Sequence, residues 1–147
     1  MLLEVIRILF DFGLVVFFWM LQLVVYPSWQ HFQDEALIHW YHTGKGKIWY
    51  LGLFLGPGQL FFSGIQLLWA PSTYTALTFA IIMFLWGYSF TVMSSVHNQI
   101  MGGTDTSEEH RGKLLKYNWV RVVGCSFIFI WSFVQLSSRL SFFGDPG

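Results

Sequence analysis

At 147 residues and 17.1 kDa the chain has the length of one domain. It is 54% hydrophobic and 20% aromatic, and its 11% of charged residues is less than half the share of an ordinary soluble domain. Eight Lys+Arg balance eight Asp+Glu and the mean hydropathy is +0.52. This excludes a basic nucleic-acid binder, a disordered chain and a secreted disulfide scaffold, and leaves an integral membrane protein whose first partner is the lipid bilayer.

In chain order, the uncharged run Phe12–Gln33 supplies a first helix over residues 8–26, ended by Pro27. Trp29, Phe32, Ala36, Leu37, Trp40 and Tyr41 then recur at helical spacing, with Pro27 suited to the first turn and Thr43-Gly44 to the end. Two tryptophans and a tyrosine on one face predict an interfacial amphipathic helix. From Ile48 to Thr104 there is no Asp, Glu, Lys or Arg. One helix of that length would be roughly 85 Å long, almost three hydrocarbon thicknesses, so the run must fold back. Ala70-Pro71-Ser72-Thr73 is where it does so, giving spans over 48–69 and 75–96. Met101-Gly102-Gly103 makes a turn, Thr106-x-x-Glu109 is a capping-box pattern, and the helix it opens runs on into a fourth span over 119–138. The fold class is therefore all-α, an integral membrane four-helix bundle with an interfacial helix between helices 1 and 2. It forms a single transmembrane domain across 1–147.

Lys45, Lys47, Arg111, Lys113, Lys116 and Arg121 flank one side of the spans, Arg7 and Arg139 the other. The positive-inside rule puts loops 27–47 and 98–118 in the cytoplasm and both termini on the opposite side. The first hydrophobic stretch is too long for a signal-peptide core and lacks an A-x-A site, so it is expected to stay.

His31, Glu35, His39 and His42 form a polar stripe along the loop helix, about 16 Å long and too long for one metal ion. It reads as a solvated face, and no metal site is assigned. A metal held by His39 with Glu35 or His42, and a third ligand from His97 or His110, is the alternative. Cys125 is the single cysteine; it cannot form an internal disulfide and reads as a small packing residue. Asp11, near the start of helix 1, is expected at the hydrated outer boundary; turned inward it would be the one acid near the bundle core.

The third span ends Ser94-Ser95-Val96-His97-Asn98-Gln99 and the fourth opens Tyr117-Asn118-Trp119-Val120-Arg121. Both belong at one membrane boundary, where a buried polar side chain is costly unless paired. One reading is a hydrogen-bonded clasp with a snorkelling arginine. The other is a pocket gripping the polar end of a membrane-soluble molecule, with Asn98, Tyr117, Asn118 and Arg121 as binding groups. His97 is then the candidate catalytic residue, because histidine is the side chain that exchanges protons near neutrality. Gly56-Pro57-Gly58-Gln59 lies near the middle of the second span. It serves close helix packing, or widens a cavity lined by Gln59 and Gln22.

Val25-Tyr26-Pro27-Ser28-Trp29 closing the first helix, His97-Asn98-Gln99-Ile100 closing the third, and Tyr117-Asn118-Trp119-Val120-Arg121 opening the fourth resemble the anthrone oxygenase-like family of small four-helix membrane proteins. The matching positions are Asn98, Asn118 and Arg121. The resemblance implies a four-helix bundle and, for some members, oxygenation of polycyclic phenols; no cofactor is named by it or by the residues. The expected function is binding or oxidation of a hydrophobic, quinone- or polyphenol-like molecule at the cytoplasmic boundary. The alternative is a non-catalytic subunit of a larger membrane complex or a homo-oligomer, its tryptophans serving as interface anchors.

Overall fold

The computed structural model describes residues 1–43, 45–103 and 105–143. Gly44, expected to close the loop helix, lies outside them. Among the described residues all regular structure is helical. Helix α1 (Leu2–Met20) passes through a π-helical turn (Leu21–Val25) into α2 (Tyr26–Trp29), one continuous stretch of 28 residues. The helix therefore does not stop at Pro27. A wider π turn lies just before it, the Tyr26 amide donating to the Leu21 carbonyl, and Pro27 sits in the first turn of α2, where its missing N–H costs least. Ser28 Oγ donates to the Val24 carbonyl at 2.5 Å.

The expected loop helix is also divided. Trp29 ends α2, and α3 (Asp34–Thr43) begins only after a bend, so His31 is not on α3. Arg111 is the physical reason. Its Nη1 donates to the carbonyls of Trp29 (3.0 Å) and Phe32 (2.7 Å), and its Nη2 pairs with Asp34. Carbonyls that would otherwise continue a helix are thus taken by a side chain from the fourth span.

Helix α4 (Lys45–Trp69) runs unbroken through Pro57. After the short 70–72 turn comes α5 (Thr73–Tyr88), with Ser72 and Thr75 forming a reciprocal capping box. A second π-helical turn (Ser89–Met93) joins α5 to α6 (Ser94–Met101), so this helix continues past residue 96. The last helix, α7 (Glu108–Phe143), has 36 residues. Its cap is Ser107 rather than Thr106: Ser107 Oγ accepts from the His110 amide at 3.2 Å, while Asp105 accepts from both the amide (3.1 Å) and the hydroxyl (2.7 Å) of Ser107. Those bonds hold the Asp105 carboxyl below its usual range.

Four of these stretches are long and apolar enough to cross a membrane. They pack as a ring, α1 against α4, α4 against α5, α5 against α7 and α7 against α1. The outer surface carries Leu23, Phe54, Phe61, Phe84, Val123 and Phe133, all exposed. The interior holds Leu14, Ile82, Val122 and Ile128 together with a large set of polar side chains. Apolar outside and polar within is the arrangement expected where the solvent is hydrocarbon.

Asp11 departs most from its expected place. It is fully buried, not hydrated. Arg7, one turn earlier on the same face, brings Nε to 3.7 Å from Asp11 Oδ2. Gln59 Nε2 donates to Asp11 Oδ1 at 2.7 Å and Ser132 Oγ to Oδ2 at 3.0 Å. Arg7 also donates to Gln66 Oε1 and lies over the Tyr74 ring, whose hydroxyl donates to Ser132 at 2.8 Å. Removing the acid leaves a buried, unneutralised guanidinium. Asp11→Ala is expected to cost roughly 3–5 kcal/mol of stability, read by denaturant unfolding of the purified protein in maltoside micelles. Arg7→Met with Asp11→Leu should cost less than Asp11→Ala alone. A loss under about 1 kcal/mol for Asp11→Ala would mean that Arg7 does not need its carboxylate.

Candidate functional site

A cavity of about 340 Å³ lies inside the bundle, walled by α1, α4, α5, α7 and both π turns and covered at one end by α3. Its walls are chiefly aromatic and aliphatic, with Phe17 and Phe18 from α1, Trp49 from α4 and Trp86 from α5. Glycine makes the room. Gly52 and Gly56 line the cavity, and a Cβ on Gly56 would stand 2.9 Å from Trp86 Cζ2. Each π turn also faces it, the first through Leu21 and Val25 and the second through Ser89, Phe90 and Met93. In and just after the second, Ser89, Thr91 and Ser94 hydroxyls donate to the carbonyls of Leu85, Gly87 and Phe90. Such turns let a helix bulge with its backbone groups still satisfied.

The polar end of the cavity centres on His97. Tyr41 Oη lies 2.6 Å from Nδ1 and Tyr26 Oη 3.4 Å from Nε2, so both ring nitrogens face phenol groups. The Trp29 ring meets the imidazole edge-on at 6.1 Å, and Trp29 in turn packs against Trp40 and Tyr41. Burial, aided by nearby Tyr26, pushes the Tyr41 hydroxyl above its ordinary value, so it stays a neutral phenol. Arg121 lies beside this cluster, its guanidinium carbon 4.1 Å from the centre of the Phe18 ring and within the influence of Tyr26.

His97, Asn98, Arg121 and Gln59 thus meet at one cavity. Asn98 is exposed at its rim, whereas Gln59 is buried on the wall, where it holds Asp11. Asn118 and Tyr117 do not line it. Asn118 is fully buried behind the wall, its Nδ2 donating to Gln22 Oε1 at 2.9 Å and to the Phe18 carbonyl at 3.2 Å. Gln22 is occupied there and does not line the cavity either. The Tyr117 carbonyl accepts from the Tyr88 hydroxyl at 3.1 Å. Cys125 is buried and contributes to the wall.

The aromatic face of α3 packs on the bundle, with Leu37 and Tyr41 buried and Trp40 on the cavity wall. Glu35, His39 and His42 are exposed, as is His31 in the preceding bend. Among the described residues no three His, Cys, Asp or Glu side chains gather as metal ligands would. Tyr26, beside Pro27, and Tyr41, on the apolar loop face, show no link to His97 in the linear sequence, because their convergence depends on the bend that Arg111 holds. No protein-family model, curated protein or solved structure matches the chain.

Gly56→Leu drives a branched side chain against the Trp86 ring and pushes that ring into the cavity. It should abolish the quenching of cavity tryptophans by a small naphthoquinone added to the purified protein, at a stability change within roughly 1–3 kcal/mol. Undiminished quenching would put the quinone elsewhere.

Proposed function

We propose that the chain is a multi-pass membrane protein that binds a hydrophobic, quinone- or polyphenol-like molecule, holding its polar end beside His97. One observation carries this reading: an aromatic-walled cavity of about 340 Å³ ends on a His97–Tyr41–Tyr26 cluster with Arg121 alongside. Sites for small molecules commonly combine an apolar enclosure with a few convergent polar groups. His97 is the proton-exchanging group in this reading, because imidazole gains and loses protons near neutrality and touches two phenols that relay them. Asn98 guards the rim and Gln59 meets the far end of the ligand.

The resemblance to anthrone oxygenase-like proteins adds oxygenation of a bound polycyclic phenol by dioxygen as the reaction proposed for this site, one oxygen atom entering a ring methylene as a carbonyl and the other leaving as water. The bias of Lys and Arg toward loops 27–47 and 98–118 supports placing the polar end at the cytoplasmic boundary, with α3 lying at the interface as its cover. The arginines counted against that orientation are weakly placed to oppose it, since Arg7 is buried in the bundle and Arg139 pairs with Glu4. An accessory-subunit role has less to support it. The exposed Phe and Leu side chains are those a lipid-facing surface requires, and the cavity would then have no occupant.

Native mass spectrometry of the protein extracted from its own membrane tests the reading. A monomer or small homo-oligomer carrying a defined organic mass is expected, with that mass lost in Gly56→Leu and depleted in His97→Ala. Reproducible recovery with larger foreign subunits and no small molecule would replace the site with the accessory role.

A further inference from the structure

Arg121 is unlike the other arginines. Arg7 faces Asp11, Arg111 pairs with Asp34 and Arg139 pairs with Glu4. Among the described residues no Asp or Glu forms an ion pair with Arg121. The ionisable groups that act on it are Tyr26, Cys125 and Tyr88, none a carboxylate, and its flat face rests on the Phe18 ring. It is only 8% exposed and stands on the cavity wall; its Nε lacks a hydrogen-bond partner, as do those of Arg7 and Arg111, so what sets it apart is the missing carboxylate beside an open space.

A guanidinium stays charged in any protein environment, and enclosing one without a counter-charge is costly. Stacking on an aromatic face offsets part of that cost, but a neutral phenol supplies no negative charge. The bundle neutralises Arg7 from within and leaves Arg121 to be neutralised by something that enters the cavity. We infer that the cavity takes the acidic head of a hydrophobic molecule, a phenolate, an enolate or a carboxylate, with Arg121 as its counterion. This deepens the small-molecule reading above and rests on it. A lipid phosphate would offer the same charge. An acid small enough to be enclosed fits better, because Arg121 lies inside the helix ring and does not extend to the lipid-facing surface.

Two naphthoquinones of nearly equal shape separate charge from burial. At neutral pH 2-hydroxy-1,4-naphthoquinone is an anion and 2-methoxy-1,4-naphthoquinone is neutral. Binding of each to the full-length protein in maltoside micelles is read by quenching of the cavity tryptophans, among them Trp29, Trp40, Trp49 and Trp86. The anion is expected to bind about tenfold or more tightly than the ether. Arg121→Gln should erase that preference while the ether still binds, which also reports that the variant is folded. Arg121→Lys should restore part of it. If Arg121→Gln fails to fold, the wild-type comparison and Arg121→Lys still decide. Equal binding of the two quinones to the wild type would overturn the counterion role yet leave the cavity reading intact, whereas binding of neither would overturn both. Loss of anion binding on adding phosphatidylglycerol, with ether binding unchanged, would assign the charge to a lipid phosphate and overturn the inference.

Discussion

All four membrane-length helices meet at one buried ion pair. Arg7 and Asp11 come from α1, Gln59 and Gln66 from α4, Tyr74 from α5 and Ser132 from α7. In an apolar medium none of these groups finds water, so each must be satisfied inside the bundle. The cluster therefore acts as a register pin. Sliding any helix by one turn, about 5.4 Å, would pull a donor or acceptor from its partner and leave charge exposed to hydrocarbon. Gln59 belongs both to this cluster and to the cavity wall, so the position of the cavity along the bundle follows from that of the ion pair.

Helices held in that way would close on a tight core unless something kept them apart. Here three backbone devices do so. The two π-helical turns widen α1 and α5 where they pass the cavity, and glycine at 52 and 56 withholds side chains from α4. Asn118 then ties the first π turn to α7 through the Phe18 carbonyl and Gln22. Its place is behind the wall, where it braces a bulge that would otherwise leave polar backbone groups unpaired. Arg111 performs the matching task above, tying the bend at Trp29 and Phe32 to α7 and so seating α3 as the cover.

The long apolar stretches and the break at 70–72 were legible because they depend on hydropathy and local turn chemistry, which a linear sequence displays directly. The placement of His97 and Arg121 at the same end was legible too, since span direction alone brings residues near 97 and 121 together. The burial of Asp11 is not legible without tertiary information. Its i, i+4 spacing from Arg7 was readable, but Gln59 and Ser132 lie 48 and 121 residues away. Pro27 does not end the helix because it falls in the first turn of α2, just after the π turn, a register that the local sequence does not display. Asn118 and Arg121 looked equivalent, three residues apart on one helix; which reaches the cavity depends on the neighbouring helix that each faces.

The two polar ends of the bundle obey the same electrostatic rule with opposite outcomes. At the Asp11 end, acid and base are enclosed together, hydrogen-bonded from α4 and α7 and covered by the Tyr74 ring of α5, so the charge is balanced from within. At the His97 end the imidazole and the two phenols hydrogen-bond to one another, while the adjacent guanidinium has aromatic stacking but no acid. Both arrangements carry a buried cation, so burial alone does not distinguish a structural site from a binding one. The distinguishing feature is where the neutralising charge resides. A charge balanced by the chain itself fixes helices in place; a charge beside a cavity and left without its acid gives a ligand something to complete, and it is on the second condition that the Arg121 wall is proposed as the recognising surface of this bundle.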